Sequence, residues 1–296
     1  MKILVTGATG FIGSAFCRLA LSDGHEIAGL MLPTEIPPAH VPANHLMHWL
    51  KGTLADLPWR EIESFQPEAC LHFAWIATPG VYLEALENED HLRWSLELVH
   101  RLRTLGTSHI VGVGTCIEYR ITDAPLREDA TPVDPTTLYS RCKNTLRETL
   151  AAEAQRDGWD FCWGRVFYPY GVGEHPARLC SSLIQKLRRG EKLTLKTPHS
   201  TKDYIYIEDL AAAILLTVEK RFTGTINWGT GTGQSVRQIA DTIAAMLGRP
   251  DLVEEASPPA VDPLGYVVAD ATRLKQLGWQ QQFSLEQGLS RLLRSL

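Results

Sequence analysis

The chain has 296 residues, 44% hydrophobic and 21% charged, with a formal net charge of −5 at pH 7. That length is enough to bury a full core, as one large α/β domain or as a domain with a smaller lobe. The mildly acidic balance offers no basic face to nucleic acid or anionic lipid, and no apolar run approaches the roughly 20 residues that span a bilayer.

Lys2 to Thr6 reads as a short buried strand that starts almost at the first residue, leaving no room for a signal peptide. Phe11 to Ser22 reads as the helix that follows. Between them Gly7, Gly10 and Gly13 are spaced Gly-x-x-Gly-x-x-Gly in Val5-Thr6-Gly7-Ala8-Thr9-Gly10-Phe11-Ile12-Gly13. A strand that turns straight into a helix leaves the first helical N–H groups unpaired and the positive dipole end exposed. Glycines then let a pyrophosphate approach that backbone. An ordinary strand-turn-helix would also tolerate glycines, but the strand before and the helix after favour a dinucleotide site.

Glu26 to Met31 is a second apolar run. An acid at its end would take the adenosine ribose hydroxyls of NAD and repel the extra phosphate of NADP. Met31 stands there, followed by Leu32 and Pro33, so the expected cofactor is NAD(P) with NADP favoured. Residues 33–45 contain four prolines and read as a surface loop. Leu46 to Lys51 reads as a third strand, followed by the turn Gly52-Thr53-Leu54-Ala55-Asp56. Ala69 to Ala74 is a further strand, running into Trp75-Ile76-Ala77-Thr78-Pro79-Gly80. His72 reads as a satisfied core histidine with no chemistry of its own. Leu86 to Leu105 is a long amphipathic helix and His109 to Gly114 another strand. The alternation predicts a doubly wound parallel sheet whose ligands bind beyond the strand carboxyl ends.

Gly114-Thr115-Cys116-Ile117-Glu118-Tyr119 leaves that strand. Tyr139-Ser140-Arg141-Cys142-Lys143 opens a helix to about Arg156 and puts Tyr139 and Lys143 on one helical face. Phe161 to Phe167 is the next strand. Beyond it the composition becomes mixed: a helix to about Arg189, a short strand at Leu193–Leu195, helices at 210–219 and 235–247, and a strand at 224–228. The six cysteines (Cys17, Cys70, Cys116, Cys142, Cys162, Cys180) are scattered without a Cys-x-x-Cys pair. They read as reduced cytosolic thiols, and no metal site is expected.

The glycine turn together with Thr115, Tyr139 and Lys143 resembles the extended short-chain dehydrogenase/reductase family, the nucleotide-sugar epimerases, dehydratases and ketoreductases. Looser likenesses extend it along the whole chain. They include Gly52 to Asp56, His72-Phe73-Ala74, Arg165-Val166-Phe167-Tyr168-Pro169-Tyr170-Gly171 and Thr201-Lys202-Asp203-Tyr204. The chain departs from the pattern at Thr53, at Trp75, and at Pro258 to Asp262, where the family often has an arginine. The resemblance implies a Rossmann-type α/β fold, with a dinucleotide-binding domain over 1–168. A mainly substrate-binding lobe over 169–296 would be a smaller mixed α/β unit, returning in part to the main sheet. It also implies a cytoplasmic homodimer acting on a nucleotide sugar. Gly7, Thr9, Gly10, Phe11, Ile12, Gly13, Leu54, Phe73, Ala74, Tyr139, Lys143 and Tyr168 would hold the cofactor. Thr115, Tyr168, His175, Arg178 and Lys202 would hold the substrate, Arg178 and Lys202 as the cations for its diphosphate.

In that frame Thr115, Tyr139 and Lys143 are the catalytic set. A phenol at its free pKa of about 10 is a poor base. A lysine cation one turn away favours the phenolate, and a threonine hydroxyl can orient the same sugar oxygen. The family's 4,6-dehydratases carry an Asp-Glu pair directly after the threonine. Here Cys116-Ile117 follow, so a dehydratase is set aside. The leading expectation is reduction of a 4-keto-6-deoxy nucleotide sugar at C4 with Tyr139 as proton donor. The alternatives are a C4 epimerase that retains NAD and a non-catalytic NAD(P)-binding protein. A variant resembling GDP-fucose synthase would use Cys116 and His175 to epimerise neighbouring carbons; a buried thiol and a loop histidine are the plainer expectation.

Overall fold

The computed structural model describes residues 1–296. Its first half alternates strand and helix: β1 (Lys2–Thr6), α1 (Phe11–Ser22), β2 (Glu26–Met31), β3 (Met47–Lys51), α2 (Trp59–Phe65), β4 (Ala69–His72), α3 (Glu87–Thr104), β5 (His109–Thr115), α4 (Leu138–Asp157) and β6 (Asp160–Val166). Short strands and helices follow: β7 (Tyr168–Tyr170), α5 (Leu179–Arg188), β8 (Leu193–Leu195), β9 (Thr201–Tyr206), α6 (Ile207–Glu219) and β10 (Gly224–Trp228). The last elements are β11 (Gly233–Ser235), α7 (Val236–Met246), β12 (Val253–Glu255), β13 (Tyr266–Val267), α8 (Thr272–Gln276) and α9 (Leu285–Ser295). No helix is long and apolar enough to cross a membrane.

Seven strands form one sheet in the order β10-β6-β5-β4-β1-β2-β3. β1 pairs in parallel with both β2 and β4, β2 with β3, and β4 with β5. The strand order therefore reverses between β1 and β4, the switch point at which doubly wound sheets bind ligands. Helices cover the sheet, so its strands read as unbroken apolar runs instead of alternating ones. Leu4, Ala28, Cys70, Ile110 and Phe161 meet Leu98 and Leu102 of α3 and Leu146 and Leu150 of α4 in one cluster. Each helical pair is four residues apart, one turn along a single face.

The chain divides into two compact units, one of residues 1–118, 133–165 and 211–226, the other of 119–132, 166–210 and 227–296. The division expected at residue 168 is thus interrupted twice. Residues 119–132 join the second unit early, and 211–226 return to the first. In the second unit β9 is central, pairing with β7 and β13 in parallel and with β11 antiparallel. Asp203, on β9, has no solvent exposure. It accepts hydrogen bonds from the Thr230 N–H and hydroxyl, the Gly231 N–H and the Ala269 N–H.

A second buried carboxylate organises the first unit. Glu118, in the 3-10 turn Cys116–Glu118 after β5, is fully buried beside Arg165, which is 1% exposed. Its Oε2 accepts from Arg165 Nε at 2.7 Å and from the Trp163 indole at 3.0 Å; its Oε1 accepts the Thr115 N–H at 2.8 Å. Trp163 fits because Gly112 and Gly114 on β5 leave it room. A Cβ on either would come within 2.5 and 2.2 Å of the indole. Removing one partner of a buried ion pair leaves the other charge uncompensated. Arg165→Met should therefore cost about 3–5 kcal/mol, read as a fall in the urea midpoint with an unchanged denaturant slope.

Candidate active site

β5 delivers Thr115 at its carboxyl end and α4 delivers Tyr139 and Lys143 in its first two turns. The helix start is fixed by a capping box. The Thr137 hydroxyl accepts the Ser140 N–H, and the Ser140 side chain accepts the Thr137 N–H. The Tyr139 N–H, left over by the helix, donates to the Leu83 carbonyl at 2.9 Å. Lys143 is buried, and its Nζ donates to the Val113 carbonyl at 2.8 Å, two residues before Thr115. Its ammonium lies 5.9 Å from the centre of the Tyr139 ring. Burial lowers the Lys143 ammonium to about 7, opposed by the negative charge of Glu118. The structure thus brings the three expected catalytic residues to one strand end, with a poised cation beside the phenol.

The glycine turn has the geometry of an anion cradle. Gly7 has φ of +67°, and a Cβ there would meet the Ala74 N at 2.9 Å, so the turn lies against Phe73 and Ala74. A Cβ on Gly13 would fall 2.2 Å from the Gly7 carbonyl oxygen. Gly10 is the N-cap of α1 and supplies no capping side chain. The first helical bond runs from Ser14 N–H to the Gly10 carbonyl, which leaves the N–H groups of Phe11, Ile12 and Gly13 without a helical acceptor. This uncapped end, beside a turn that only glycine can line, fits the pyrophosphate of a dinucleotide. Leu54 is buried in the neighbouring turn, where the Thr53 hydroxyl accepts the Asp56 N–H.

His72 is structural. The Ser95 hydroxyl donates to the His91 carbonyl, so it accepts from His72 Nε2–H; His72 Nδ1 then accepts from the Thr6 hydroxyl. Burial lowers its imidazole to about 3, which keeps it neutral. At the end of β2 Met31 is buried, and the next acid in the chain, Glu35, lies four residues later. Glu35 folds back so that its Oε2 accepts the Thr9 hydroxyl at 2.8 Å and the Leu32 N–H at 2.9 Å.

In the second unit the expected substrate residues are placed differently from one another. Tyr168, on β7, lies against Tyr204, with Lys202 Nζ 5.7 Å from its ring centre. Lys202 is not an open cation. Its side chain is 7% exposed, and its ammonium donates to Asp262 at 3.0 Å and to the Leu264 carbonyl. Arg178 is exposed at the N-cap of α5, but the amino end of that helix already holds a carboxylate. Glu174 accepts the Ser181 N–H at 2.8 Å and the Gly171 N–H at 3.4 Å. His175 is exposed, its Nδ1 accepting the Ala177 N–H. Cys116, in the first unit, is buried.

The family model described as "NAD dependent epimerase/dehydratase family" matches residues 3–229. The chain belongs to the NAD-dependent epimerase/dehydratase family. UDP-glucose 4-epimerase of Corynebacterium glutamicum is 28% identical to it over 94% of this chain and 90% of its own. Among solved structures, UDP-glucose 4-epimerase of Thermus thermophilus in complex with NAD superposes with a TM-score of 0.86 at 25% identity, covering 100% of this chain and 98% of that one. The fold is shared as well by dTDP-glucose 4,6-dehydratase of Bacillus anthracis in complex with NAD, with a TM-score of 0.87 at 20% identity and coverage of 100% and 96%.

Within this epimerase/dehydratase frame, three residues were not singled out by sequence reasoning. Glu118 lies three residues past Thr115 and fixes its backbone. An acid in the turn after a strand was visible, but nothing marked it as buried. Glu35 was hidden in a proline-rich loop, although it lies only four residues past the strand end. Trp75 was seen only as a departure from pattern, yet its ring centre lies 3.9 Å from Lys143 Nζ.

The lowered Lys143 value has a consequence for stability. Between about 7 and the ordinary lysine value of 10.5, the unfolded chain binds this proton and the folded chain does not. Its contribution is therefore fully present above about 10.5 and lost as pH falls to about 7. The unfolding free energy of the native protein relative to Lys143→Met should climb across that window, by at most about 1.4 kcal/mol per pH unit. Paired urea titrations at several pH values read it directly; a flat difference would show that the ammonium is not buried.

Proposed function

We propose that this chain is a nucleotide-sugar 4-epimerase that retains NAD, and not the 4-keto reductase that the sequence put first. One observation carries the choice: the intact Thr115, Tyr139 and Lys143 set lies in a chain matched along nearly its whole length by UDP-glucose 4-epimerases. The substrate class is a nucleoside-diphosphate hexose such as UDP-glucose. Cys116 and Ile117 supply no acid and base for elimination, which argues against the dehydratase chemistry of other relatives.

The glycine turn, the Phe11 to Gly13 amides and Lys143 would hold the dinucleotide, which when bound supplies reversible hydride acceptance at C4. Tyr139 takes the proton of the C4 hydroxyl and gives it back to the same oxygen after the sugar has turned over. The Lys143 cation lowers the cost of the phenolate, and the Thr115 hydroxyl donates a hydrogen bond that holds the sugar oxygen. Glu118 keeps Thr115 in place through its N–H. Because each turnover returns what it removed, no net oxidant or reductant is needed.

Purified protein given UDP-glucose should form UDP-galactose without added NAD(P)H and without net change in nicotinamide absorbance. Tyr139→Phe should lose about 10²–10⁴-fold in kcat, the usual worth of a positioned acid–base group, while still binding dinucleotide. Stoichiometric NAD(P)H oxidation with a 4-keto-6-deoxy nucleotide sugar, and no interconversion of hexoses, would restore the reductase reading instead.

Glu35 favours NAD over the NADP suggested by Met31. A carboxylate held against Thr9 and Leu32 stands beside the glycine turn, where it would accept from the adenosine ribose hydroxyls and repel a 2′-phosphate. Calorimetric titration should give tighter binding of NAD than NADP to the native protein. Glu35→Ala should weaken NAD about tenfold, one charge-assisted hydrogen bond, and narrow the gap. Native protein that preferred NADP would defeat this assignment.

A further inference from the structure

The family pattern has a small residue after His72-Phe73-Ala74, and this chain has Trp75. The indole is half-buried and locked. Its Nε1–H donates to Asn88 Oδ1 at 2.7 Å, and the fully buried Asn88 amide donates at 2.7 Å to both the Tyr82 and Ala85 carbonyls. Asn88 therefore uses both ends of its side chain to fix the indole and the loop 75–86 together. The ring plane so fixed faces Lys143 Nζ at 3.9 Å from its centre, while its edge meets Tyr139 at 6.5 Å between ring centres. Tyr82 also stands edge-on to Tyr139, at 4.9 Å between ring centres.

We propose that Trp75, anchored by Asn88, is a positioning residue that holds the Lys143 ammonium, as a cation, at its place beside Tyr139. The proposal rests on the reading of Lys143 as the cation that supports Tyr139, and it adds a residue to that reading. The face of an indole is the negative end of its quadrupole and attracts an ammonium most strongly where water is excluded. Lys143 has one carbonyl acceptor, that of Val113. An ammonium has three donors, so the indole face fills a direction that no hydrogen bond serves. Around it stand Glu118 from the turn after β5, His72 from β4, His91 from α3 and Tyr139 from its own helix. His72 is neutral and burial lowers His91 as well, so beside the Val113 carbonyl it is Glu118 and the indole that favour the charge. With the ammonium at about 7, modest changes in either set how much cation faces the phenol near neutral pH.

The test reads Lys143 itself, without cofactor or substrate. Its side-chain ¹³Cε/¹⁵Nζ resonances, assigned by comparison with Lys143→Arg, are titrated by NMR in the native protein, in Trp75→Leu and in Trp75→Phe. Leucine keeps the site apolar but removes the π face, so the midpoint should fall by about one pH unit. Phenylalanine keeps a weaker face, so its midpoint should lie between the other two. Should the leucine variant fail to fold, the phenylalanine variant must still titrate below the native protein. An unchanged midpoint in either folded variant overturns the proposal. So does a raised one, because it would mean that the indole acts only by excluding water. These outcomes are separate from the fate of the triad, which Tyr139→Phe decides by turnover.

Discussion

A carboxylate without solvent holds the Thr115 end of β5 together. Glu118 meets Arg165 and Trp163 from β6 and the N–H of Thr115 from its own turn, so one side chain ties two neighbouring strands at the point where β5 stops being a strand. The ladder ends there, and the Thr115 amide would otherwise be a half-buried orphan. The arrangement also reaches Lys143, because the Glu118 charge offsets part of the cost of burying an ammonium. A site that keeps a lysine near neutrality needs both effects. Burial brings the value down, and a fixed anion stops it falling further.

The second unit repeats this solution with different residues. Asp203 accepts four donors from Thr230, Gly231 and Ala269, all in segments that leave a strand or approach one. Asp209 accepts the N–H groups of Gln282 and Phe283, and the Trp279 indole donates to the Asp209 carbonyl. Burial raises both carboxyls, and their backbone donors work in the opposite direction. The motif Lys202-Asp203-Tyr204 therefore contains a structural acid next to the expected ligand cation. Lys202 itself is paired with Asp262, so an incoming diphosphate would have to compete with a carboxylate already in contact.

What could be read from the sequence follows from the range of the interactions involved. The strands and helices of the first half, α2 excepted, rest on local apolar period, and their bounds in the structure lie within a residue or two of those expected; α2, Trp59–Phe65, was not expected. The glycine turn was legible because Gly13 is required by a contact with Gly7 inside a seven-residue stretch and Gly7 by its own positive φ, although the backbone that crowds Gly7 comes from Phe73 and Ala74. Tyr139 and Lys143 were legible because four residues on a helix place them on one face. Pairing at long range was not. Nothing local says that Glu118 finds Arg165 across 47 positions, or that Lys202 finds Asp262 across 60. The sequence shows charges, and whether a charge is solvated, paired or free for a ligand depends on the segment that folds against it. The short strands β7 and β9 escaped for the same reason, since each is defined by its partner.

Departures from a family pattern carry more information than matches once the fold is known. Met31 removes an acid, and Glu35 returns one to the same turn from a different position in the chain. Trp75 adds bulk after β4, and Asn88 at the start of α3 is buried in the orientation needed to bind its indole nitrogen. In each case the departure is accompanied by a second residue whose side chain reaches it or the turn beside it. Glu35 would otherwise be a loop acid in a proline-rich segment. Asn88 would be a polar side chain buried at a helix start with one end unpartnered, which a fold does not keep without a cost of about 1–3 kcal/mol.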